Sequence, residues 1–130
     1  VMPAKKKLRP KQEEAREKKE ALALAMERKE ERLFLNLLTL YPNWAALHRE
    51  LGVYYGDVNN FQEARHHLQR ANCLNRESPS ALLALSVVFQ KIGDESTARL
   101  LVLKAEQVRE RHRRKNYTWR KKRVKRQNGK

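Results

Sequence analysis

The sequence predicts an all-α protein built from repeated helical hairpins, and three observations support this prediction. Residues 46–108 match themselves when they are shifted by 34 positions, and a fixed period of this length is typical of helical repeat proteins. Small and large side chains recur at the matched positions, as closely crossing helices require. The dipeptides Asn59-Asn60 and Gly93-Asp94 stand at equivalent places, and Asn and Gly tolerate the left-handed backbone conformation that ends a helix.

Each repeat unit begins with a large–small–large group and continues with a small–large–small group. The first group comprises Leu51, Gly52 and Tyr55, then Leu85, Ser86 and Phe89; the second comprises Ala64, Leu68 and Ala71, then Ala98, Val102 and Ala105. Small residues allow two helices to cross closely, and large residues fill the space beside the crossing. These positions are therefore predicted to form the core, so they define the fold rather than an activity.

This pattern resembles the tetratricopeptide repeat family, whose unit is a helix-turn-helix of 34 residues. The two matching units cover residues 44–78 and 79–112. The resemblance implies an array of helical hairpins that forms a fragment of a right-handed superhelix. The period also extends upstream, where residues 28–41 resemble the second helix of a preceding repeat. Because terminal repeats are atypical, we expect this segment to be a capping half-repeat whose first helix is missing.

The segments outside the two repeats are predicted from their composition. Residues 1–10 contain two prolines and four cations, which favours an extended basic arm. Residues 11–42 are rich in helix formers and contain no glycine and no proline before Pro42, which predicts one long N-terminal helix that ends in the capping half-repeat. Further helices are predicted over residues 45–57, 61–75, 79–92 and 95–114. The last helix should continue as a basic helix or fray near Asn116, within a basic C-terminal tail of residues 113–130.

The formal net charge of +15 is concentrated at the two ends of the chain. Residues 1–12 contain five Lys or Arg and no acid, and residues 111–130 contain eleven Lys or Arg and no acid. The intervening residues contain 14 cations and 15 acids, so the repeat body is nearly neutral. Blocks of like charge are typical of arms that bind nucleic acid or another anionic surface.

These basic ends are the candidate RNA-binding segments. The C-terminal block interleaves cations with Tyr117 and Trp119, so phosphates can be neutralised while unpaired bases stack on the rings. The candidate RNA-binding residues are Lys5, Lys6, Lys7, Arg9, Arg111, Arg113, Arg114, Lys115, Tyr117, Trp119, Arg120, Lys121, Lys122, Arg123, Lys125 and Arg126. The alternatives for such a charge run are binding to an acidic protein or a membrane surface, a targeting signal, or a role in solubility.

The resemblance also implies a protein-binding groove lined by the first helix of each repeat. The residues that it places there are Arg49, Val53, Asp57, Leu83, Val87, Gln90 and Lys91. Some members of the family bind the terminal carboxylate of a peptide with a set of Lys, Asn and Arg residues. Val53 and Val87 stand where that set needs asparagine, so we expect this carboxylate clamp to be absent and the groove to hold a short segment or a partner helix.

The residue types that catalysis requires are sparse. The chain has four histidines and four glycines, with no nucleophile motif and no glycine-rich phosphate loop. His66 and Cys73 lie about two turns apart on one predicted helix, but two ligands do not make a zinc site. We therefore expect no enzyme activity, no metal, no cofactor and no small-molecule substrate.

Two functions fit these observations. The first is a non-catalytic component of a ribonucleoprotein assembly, in particular one associated with the ribosome, whose basic tails anchor on RNA (in particular rRNA) while the repeat body contacts a neighbouring protein. The second is a protein–protein adaptor or assembly factor of a larger complex, whose tails bind an acidic protein or a membrane surface. The single cysteine, Cys73, has no partner for an internal disulfide, which fits an intracellular, reducing compartment such as the cytoplasm or an organelle matrix.

Overall fold

The structure, a computed structural model, describes residues 9–128, and it confirms the all-α fold class. Within this range the chain forms six helices and no strand. In chain order the helices are α1 (Pro10–Arg28), α2 (Glu31–Leu40), α3 (Ala45–Asp57), α4 (Phe61–Leu74), α5 (Ser80–Ile92) and α6 (Glu95–Asn128). Each helix packs against the next one along the chain, and α3 also contacts α1 and α5. The helices therefore form an array of three hairpins: α1–α2, α3–α4 and α5–α6.

The core lies at the helix crossings that the repeat pattern predicts. Phe34, Leu47, Leu51 and Leu68 are the largest fully buried side chains. The small positions on α4 and α6 are buried as well, namely Ala64, Ala71, Ala98 and Ala105. Burial of one leucine or phenylalanine side chain contributes about 2 kcal/mol, so these large residues supply much of the stability of so small a domain.

The N-terminal segment differs from the expectation of one helix over residues 11–42. Lys29 adopts a left-handed conformation with φ 53° and ψ 43°, Glu30 is extended, and the chain reverses there. α1 packs against α2 and α3, and Leu22 becomes buried in the same cluster as Phe34. The half-repeat that we expected is therefore a complete hairpin, because α1 supplies the first helix that was expected to be missing.

Burial explains why the chain turns at Lys29 without a glycine or a proline. A non-glycine residue in the left-handed conformation costs about 1–2 kcal/mol. A straight helix would leave Leu22 in water, whereas the turn buries Leu22 and Ala25 against the core cluster that includes Phe34. Burial of the leucine side chain alone contributes about 2 kcal/mol, so the apolar contacts offset the cost of the backbone conformation.

The position of this turn explains why the repeat period did not reveal α1. The period would place the equivalent of Asn59 at residue 25, but the left-handed residue is Lys29. The C-terminal end of the first helix therefore lies about one turn further along the chain than the repeat period places it. Ala25 lies inside α1 instead, where it is fully buried. A shift of one turn removes α1 from the repeat register.

Lys18 is a second reason that α1 does not match the pattern. It stands 34 residues before Gly52, at a position that is small in the other two repeats. Its ammonium group lies 4.8 Å from the centre of the Tyr41 ring and 4.4 Å from the centre of the Trp44 ring. Cation–π contacts of this kind contribute about 0.5–1 kcal/mol at exposed sites, so Lys18 helps to hold α1 against the α2–α3 connection.

Replacing Lys29 with glycine is expected to raise the free energy of unfolding by about 1 kcal/mol, because glycine adopts the left-handed conformation without a steric cost. Urea unfolding followed by circular dichroism measures the change. Lys19→Gly, inside α1, is the matched control and should lower the free energy of unfolding by about 1 kcal/mol, because glycine weakens a helix interior. Equal destabilisation by both substitutions would contradict a helix break at Lys29.

The basic C-terminal segment continues α6 to Asn128 and does not fray near Asn116. Gly93 ends α5 with a φ of 97°, as its place in the repeat predicted. The carboxylate of Asp94 then accepts hydrogen bonds from the backbone N–H of Thr97 at 3.2 Å and from the Thr97 hydroxyl at 2.7 Å. These bonds hold the pKa of Asp94 below its usual value and cap the first turn of α6.

Candidate protein-binding groove and basic helix

The first candidate site lies between α3 and α5, and we call it the α3–α5 groove. Val53 and Val87 lie in this groove and remain 40% and 48% exposed. Together with Asp57 and Lys91 they line a pocket of about 150 Å³. Two exposed valines beside one acid and one cation form a surface suited to a short, mostly apolar segment.

The other residues predicted for the groove do not line the pocket beside Val53 and Val87. Arg49 donates a hydrogen bond to the Ser80 hydroxyl at 3.1 Å and pairs with Glu50 at 3.1 Å, so its guanidinium links α3 to the start of α5. Leu83 is half-buried against the core between α5 and α6, and Gln90 is exposed. Neither Arg49, Leu83 nor Gln90 lines the pocket of about 150 Å³.

Ala84 and Val88 also line the pocket beside Val53 and Val87, although the resemblance did not place them in the groove. They lie on α5 beside Val87 and Lys91, at the spacing of three and four residues that puts side chains on one face of a helix. Gly56 of α3 also lines the pocket. The spacing of residues 84, 87, 88 and 91 is the signal in the sequence from which this face could have been identified.

The second candidate site is the part of α6 that extends beyond its hairpin, residues 113–128, which we call the basic helix. His112 anchors its start, because ring nitrogen Nε2 donates a hydrogen bond to the Glu77 carbonyl at 2.6 Å and lies 3.3 Å from the Glu77 carboxylate. Residues 113–127 are exposed. With a rise of 1.5 Å per residue, the basic helix is about 24 Å long.

Helical spacing places four of the predicted RNA-binding cations on one face. Lys115, Lys122 and Arg126 follow Arg111 at spacings that keep side chains on the same side of a helix. We call these four residues the cationic stripe. Over residues 9–128 no member of the stripe forms an ion pair with a carboxylate. All four charges are therefore available to an anionic partner.

The other cations of the C-terminal block lie on the remaining sides of α6. Arg113 and Arg114 both pair with Glu110, and the Arg114 contact measures 3.2 Å. Arg120, Lys121, Arg123 and Lys125 are exposed as well. The acids of α6 nearest to the cationic stripe along the chain, Glu106 and Glu110, lie on the side of the helix away from the stripe, so the stripe itself contains no acid.

Tyr117 and Trp119 are exposed by 66% and 60%, but they do not form one stacking surface. Residues two positions apart point to nearly opposite sides of a helix. Trp119 lies beside the cationic stripe, since Lys115 and Lys122 are its neighbours at spacings of four and three residues. The Arg123 guanidinium lies 5.3 Å from the Trp119 ring, and the corresponding contact of Tyr117 is with Lys121 at 6.0 Å.

Arg9 lies at the other end of the array. Its backbone N–H donates a hydrogen bond to the side chain of Gln12 at 3.1 Å, at the start of α1. α1 contacts α2 and α3, whereas α6 contacts α5, so the structure does not bring Arg9 together with the basic helix. The other predicted N-terminal cations, Lys5, Lys6 and Lys7, lie outside the described residues.

Residues 9–128 contain no group of three or more His, Cys, Asp or Glu side chains that could hold a metal ion. Every helix in this range is too short or too polar to cross a bilayer. Cys73 is an exposed free thiol.

Comparison with solved structures identifies the fold. The chain is similar to MamA MSR-1 C2, a protein with tetratricopeptide repeats, with a TM-score of 0.65 and 20% sequence identity. The fold is a tetratricopeptide-type helical array. The similarity covers 73% of this chain and 59% of MamA MSR-1 C2, so the chain spans less than two thirds of the length of that protein. No protein-family profile and no curated protein sequence matches the chain.

Proposed function

We propose that the chain is a non-catalytic scaffold of a ribonucleoprotein assembly, in particular one associated with the ribosome. The basic helix binds RNA, in particular rRNA, and the α3–α5 groove holds a segment of a neighbouring protein. The observation that carries this proposal is the cationic stripe, in which four exposed cations without ion pairs lie in register on a helix that continues the repeat body. The protein-binding half of the proposal follows from the tetratricopeptide-type fold.

A preformed helix is a better RNA ligand than a loose tail of the same charge. Lys and Arg side chains neutralise phosphates and release the counterions bound to them, whatever the base sequence. The helix holds Arg111 and Arg126 about 22 Å apart, so the stripe can follow several consecutive phosphates. Because these cations are already ordered, binding costs less conformational entropy than it would in a disordered segment. Trp119 flanks the stripe, where its ring can stack on an unpaired base.

The proposal also assigns a cellular location. An RNA assembly is intracellular, and the exposed free thiol of Cys73 is suited to a reducing compartment. We therefore place the protein in the cytoplasm or in an organelle matrix. Fluorescent tagging followed by cell fractionation with and without ribonuclease tests this location together with the association with RNA.

Neutralising three of the four cations of the cationic stripe is expected to weaken RNA binding by at least tenfold at about 0.15 M salt. The variant is Lys115→Gln/Lys122→Gln/Arg126→Gln, and the measurement is fluorescence anisotropy with a labelled single-stranded RNA and a labelled RNA hairpin over a salt series. Each lost phosphate contact lowers the slope of log affinity against log salt by about 0.7–0.9, so the slope should fall by about 2. Trp119→Ala should weaken the single-stranded complex more than the hairpin complex, since only unpaired bases stack on the ring.

The matched control removes the same charge from another part of the molecule. Lys11→Gln/Lys19→Gln/Arg28→Gln neutralises three exposed cations of α1 and should change RNA affinity by less than about twofold, because long-range charge is screened beyond about 10 Å. Val87→Glu, in the α3–α5 groove, should leave RNA affinity unchanged. Equal losses for the stripe and the α1 variants, or no measurable RNA binding at this salt concentration, would contradict the proposal.

An adaptor that joins proteins without RNA is the second candidate function, and the exposed Val53 and Val87 favour it. An apolar groove holds its ligand by burial of surface, which depends little on salt. Pull-down of partners by the wild-type protein, the stripe variant and Val87→Glu separates the two functions. A partner that is lost only with Val87→Glu, from a protein that does not bind RNA, would favour the adaptor.

A further inference from the structure

A second cleft lies between α4 and α6, and we call it the basic cleft. α4 and α6 both pack against α5, but they do not contact each other, so α5 forms the floor of an open channel of about 580 Å³. Leu82, Leu85 and Phe89 lie on this floor, and Leu101 and Val108 of α6 line one wall. Leu82, Leu85 and Val108 are buried, so the apolar surface that the cleft presents is that of the half-buried Phe89 and Leu101.

The rim of the basic cleft is positively charged. Arg76, Lys104 and Arg111 are exposed along it, together with uncharged Gln, Asn and Thr side chains, and no carboxylate lines it. Within residues 9–128 none of the three cations forms an ion pair. Glu77, on the neighbouring turn, lies against His112. The cleft thus combines an apolar floor with uncompensated positive charge.

The preceding pair of repeats contains the equivalent cleft, between α2 and α4 over α3, and there polar side chains join the walls to the floor. The Tyr55 hydroxyl donates a hydrogen bond to Glu31 of α2 at 2.9 Å. His48 and His67 join α3 to α4 through a ring-to-ring hydrogen bond of 3.1 Å. A third bond, from Arg70 of α4 to Asn43 in the α2–α3 connection, measures 2.9 Å.

Shifting these positions by 34 residues shows that the basic cleft lacks the equivalent polar contacts. Phe89 replaces Tyr55 and has no hydroxyl, and Arg65 replaces Glu31 and places its guanidinium 5.1 Å from the centre of the Phe89 ring. The histidine pair becomes Leu82 and Leu101. Arg70 and Asn43 become Lys104 and Glu77, which form no ion pair with each other within residues 9–128. The polar contacts between walls and floor are therefore absent from the basic cleft, and Lys104 is left without an ion pair.

We propose that the basic cleft binds an acidic amphipathic helix of a partner protein. The apolar side of such a helix packs on the half-buried Phe89 and Leu101, and its carboxylates pair with Lys104 and Arg111, which lie about 10 Å apart along α6. Charge complementarity and the apolar floor together select this occupant. A nucleic acid backbone would satisfy the cations but would leave Phe89 and Leu101 without an apolar partner. The cleft is separate from the α3–α5 groove and shares only Arg111 with the cationic stripe, so the inference does not rest on the function proposed above.

The test selects binders from a display library of random peptides of about 16 residues, enough for about four helical turns. The full-length protein is the bait. Selected peptides are expected to carry Asp or Glu at helical spacing beside Leu or Phe. Synthetic copies are then titrated by fluorescence anisotropy against the variant Arg76→Glu/Lys104→Glu, which leaves Arg111 of the cationic stripe unchanged and should bind them at least tenfold more weakly than the wild type. Lys19→Glu/Lys29→Glu is the control with the same change in net charge, and it should bind within about twofold of the wild type.

Circular dichroism of each variant checks that the helices remain folded, which is expected because all the changed side chains are exposed. The inference is overturned if selection enriches no acidic amphipathic sequence, or if the selected peptides bind both variants equally. It is also overturned if the cleft variant loses RNA affinity in parallel with peptide affinity, because the cleft would then be part of an RNA surface. Loss of peptide binding with unchanged RNA binding supports the cleft as a separate protein site.

Discussion

Substituting alanine for Gly52 is expected to lower the free energy of unfolding by about 3 kcal/mol, although alanine is the better helix former. A Cβ atom at this position would lie 2.5 Å from Cγ and 2.8 Å from Cδ2 of Leu68, and 3.2 Å from the backbone oxygen of Ala64. Leu68 is fully buried, and its Cγ can move only through a change of χ1, so relieving this contact displaces the side chains packed around it in the core. The two helices would have to separate, which exposes part of the core.

Gly56→Ala is the matched control in the same helix. The nearest atom to a Cβ at Gly56 is Cγ2 of Val88 at 3.7 Å, an ordinary van der Waals distance. This substitution should therefore leave the free energy of unfolding unchanged or raise it by about 0.5–1 kcal/mol through helix propensity. Urea unfolding of both variants measures the difference. Equal stability of Gly52→Ala and Gly56→Ala would contradict the close crossing of α3 and α4.

The next repeat shows how the protein itself accommodates a side chain at this crossing. Ser86 stands at the position of Gly52, and there the facing residue is Val102 in place of Leu68. The smaller valine leaves room for the serine Cβ, so the larger residue at one position is compensated by the smaller residue at the facing position. The double variant Gly52→Ala/Leu68→Val should accordingly be more stable than the sum of the single effects by about 1 kcal/mol or more.

The repeat hairpins could be predicted from sequence because their determinants are local and occur twice. Leu51, Gly52 and Leu68 recur as Leu85, Ser86 and Val102 at one fixed offset, and helix crossings demand these residue sizes. The first hairpin could not be predicted in full, because its turn is set by burial of Leu22 and not by a turn residue. A repeat period is recognised only where equivalent residues recur at the same offset. The end of α1 lies one turn away from the position that the 34-residue offset predicts, so α1 was not recognised.

The α3–α5 groove was predicted through the resemblance, which placed Val53 and Val87 there, and the structure adds Val88 beside them. The basic helix was predictable only as composition. The charge block at residues 111–126 indicated an anionic partner, but only a helical conformation determines which cations share a face. The basic cleft was not predicted, because the polar contacts that it lacks join residues of different helices, and such a contact leaves no signal in either helix alone.

Two buried histidines lead to the second prediction, since they form a chain of hydrogen bonds between α3 and α4. Nε2 of His48 lies 2.7 Å from the Pro42 carbonyl, which can only accept, so Nε2 carries a proton. In neutral His48 the other nitrogen, Nδ1, is then an acceptor, and Nδ1 of His67 donates to it at 3.1 Å. Nε2 of His67 is left without a proton, 3.7 Å from the Glu63 carboxylate. The network is complete while both rings are neutral.

Burial, together with the neighbouring His48 and His66, lowers the pKa of His67 to about 4, although the Glu63 carboxylate acts in the opposite direction. In the unfolded chain the pKa of a histidine is about 6.5. Between these two values the unfolded state binds a proton that the folded state does not, so stability rises with pH across this window. The contribution of His67 is therefore complete above about pH 6.5 and is lost as the pH falls toward 4.

Acidification from pH 7 to pH 5 is expected to lower the free energy of unfolding by about 2 kcal/mol through His67, on the linkage of one pKa unit to about 1.4 kcal/mol. Urea unfolding at several pH values measures this slope. The variant His48→Leu/His67→Leu copies the equivalent pair of the next repeat, Leu82 and Leu101, so it keeps an apolar contact and should remove most of the slope. His66→Gln is the control and should retain it, because His66 is exposed and lies outside the buried pair. If the leucine variant kept the wild-type slope while His66→Gln lost it, the titrating group would be His66, and the buried pair would be purely a packing contact between α3 and α4.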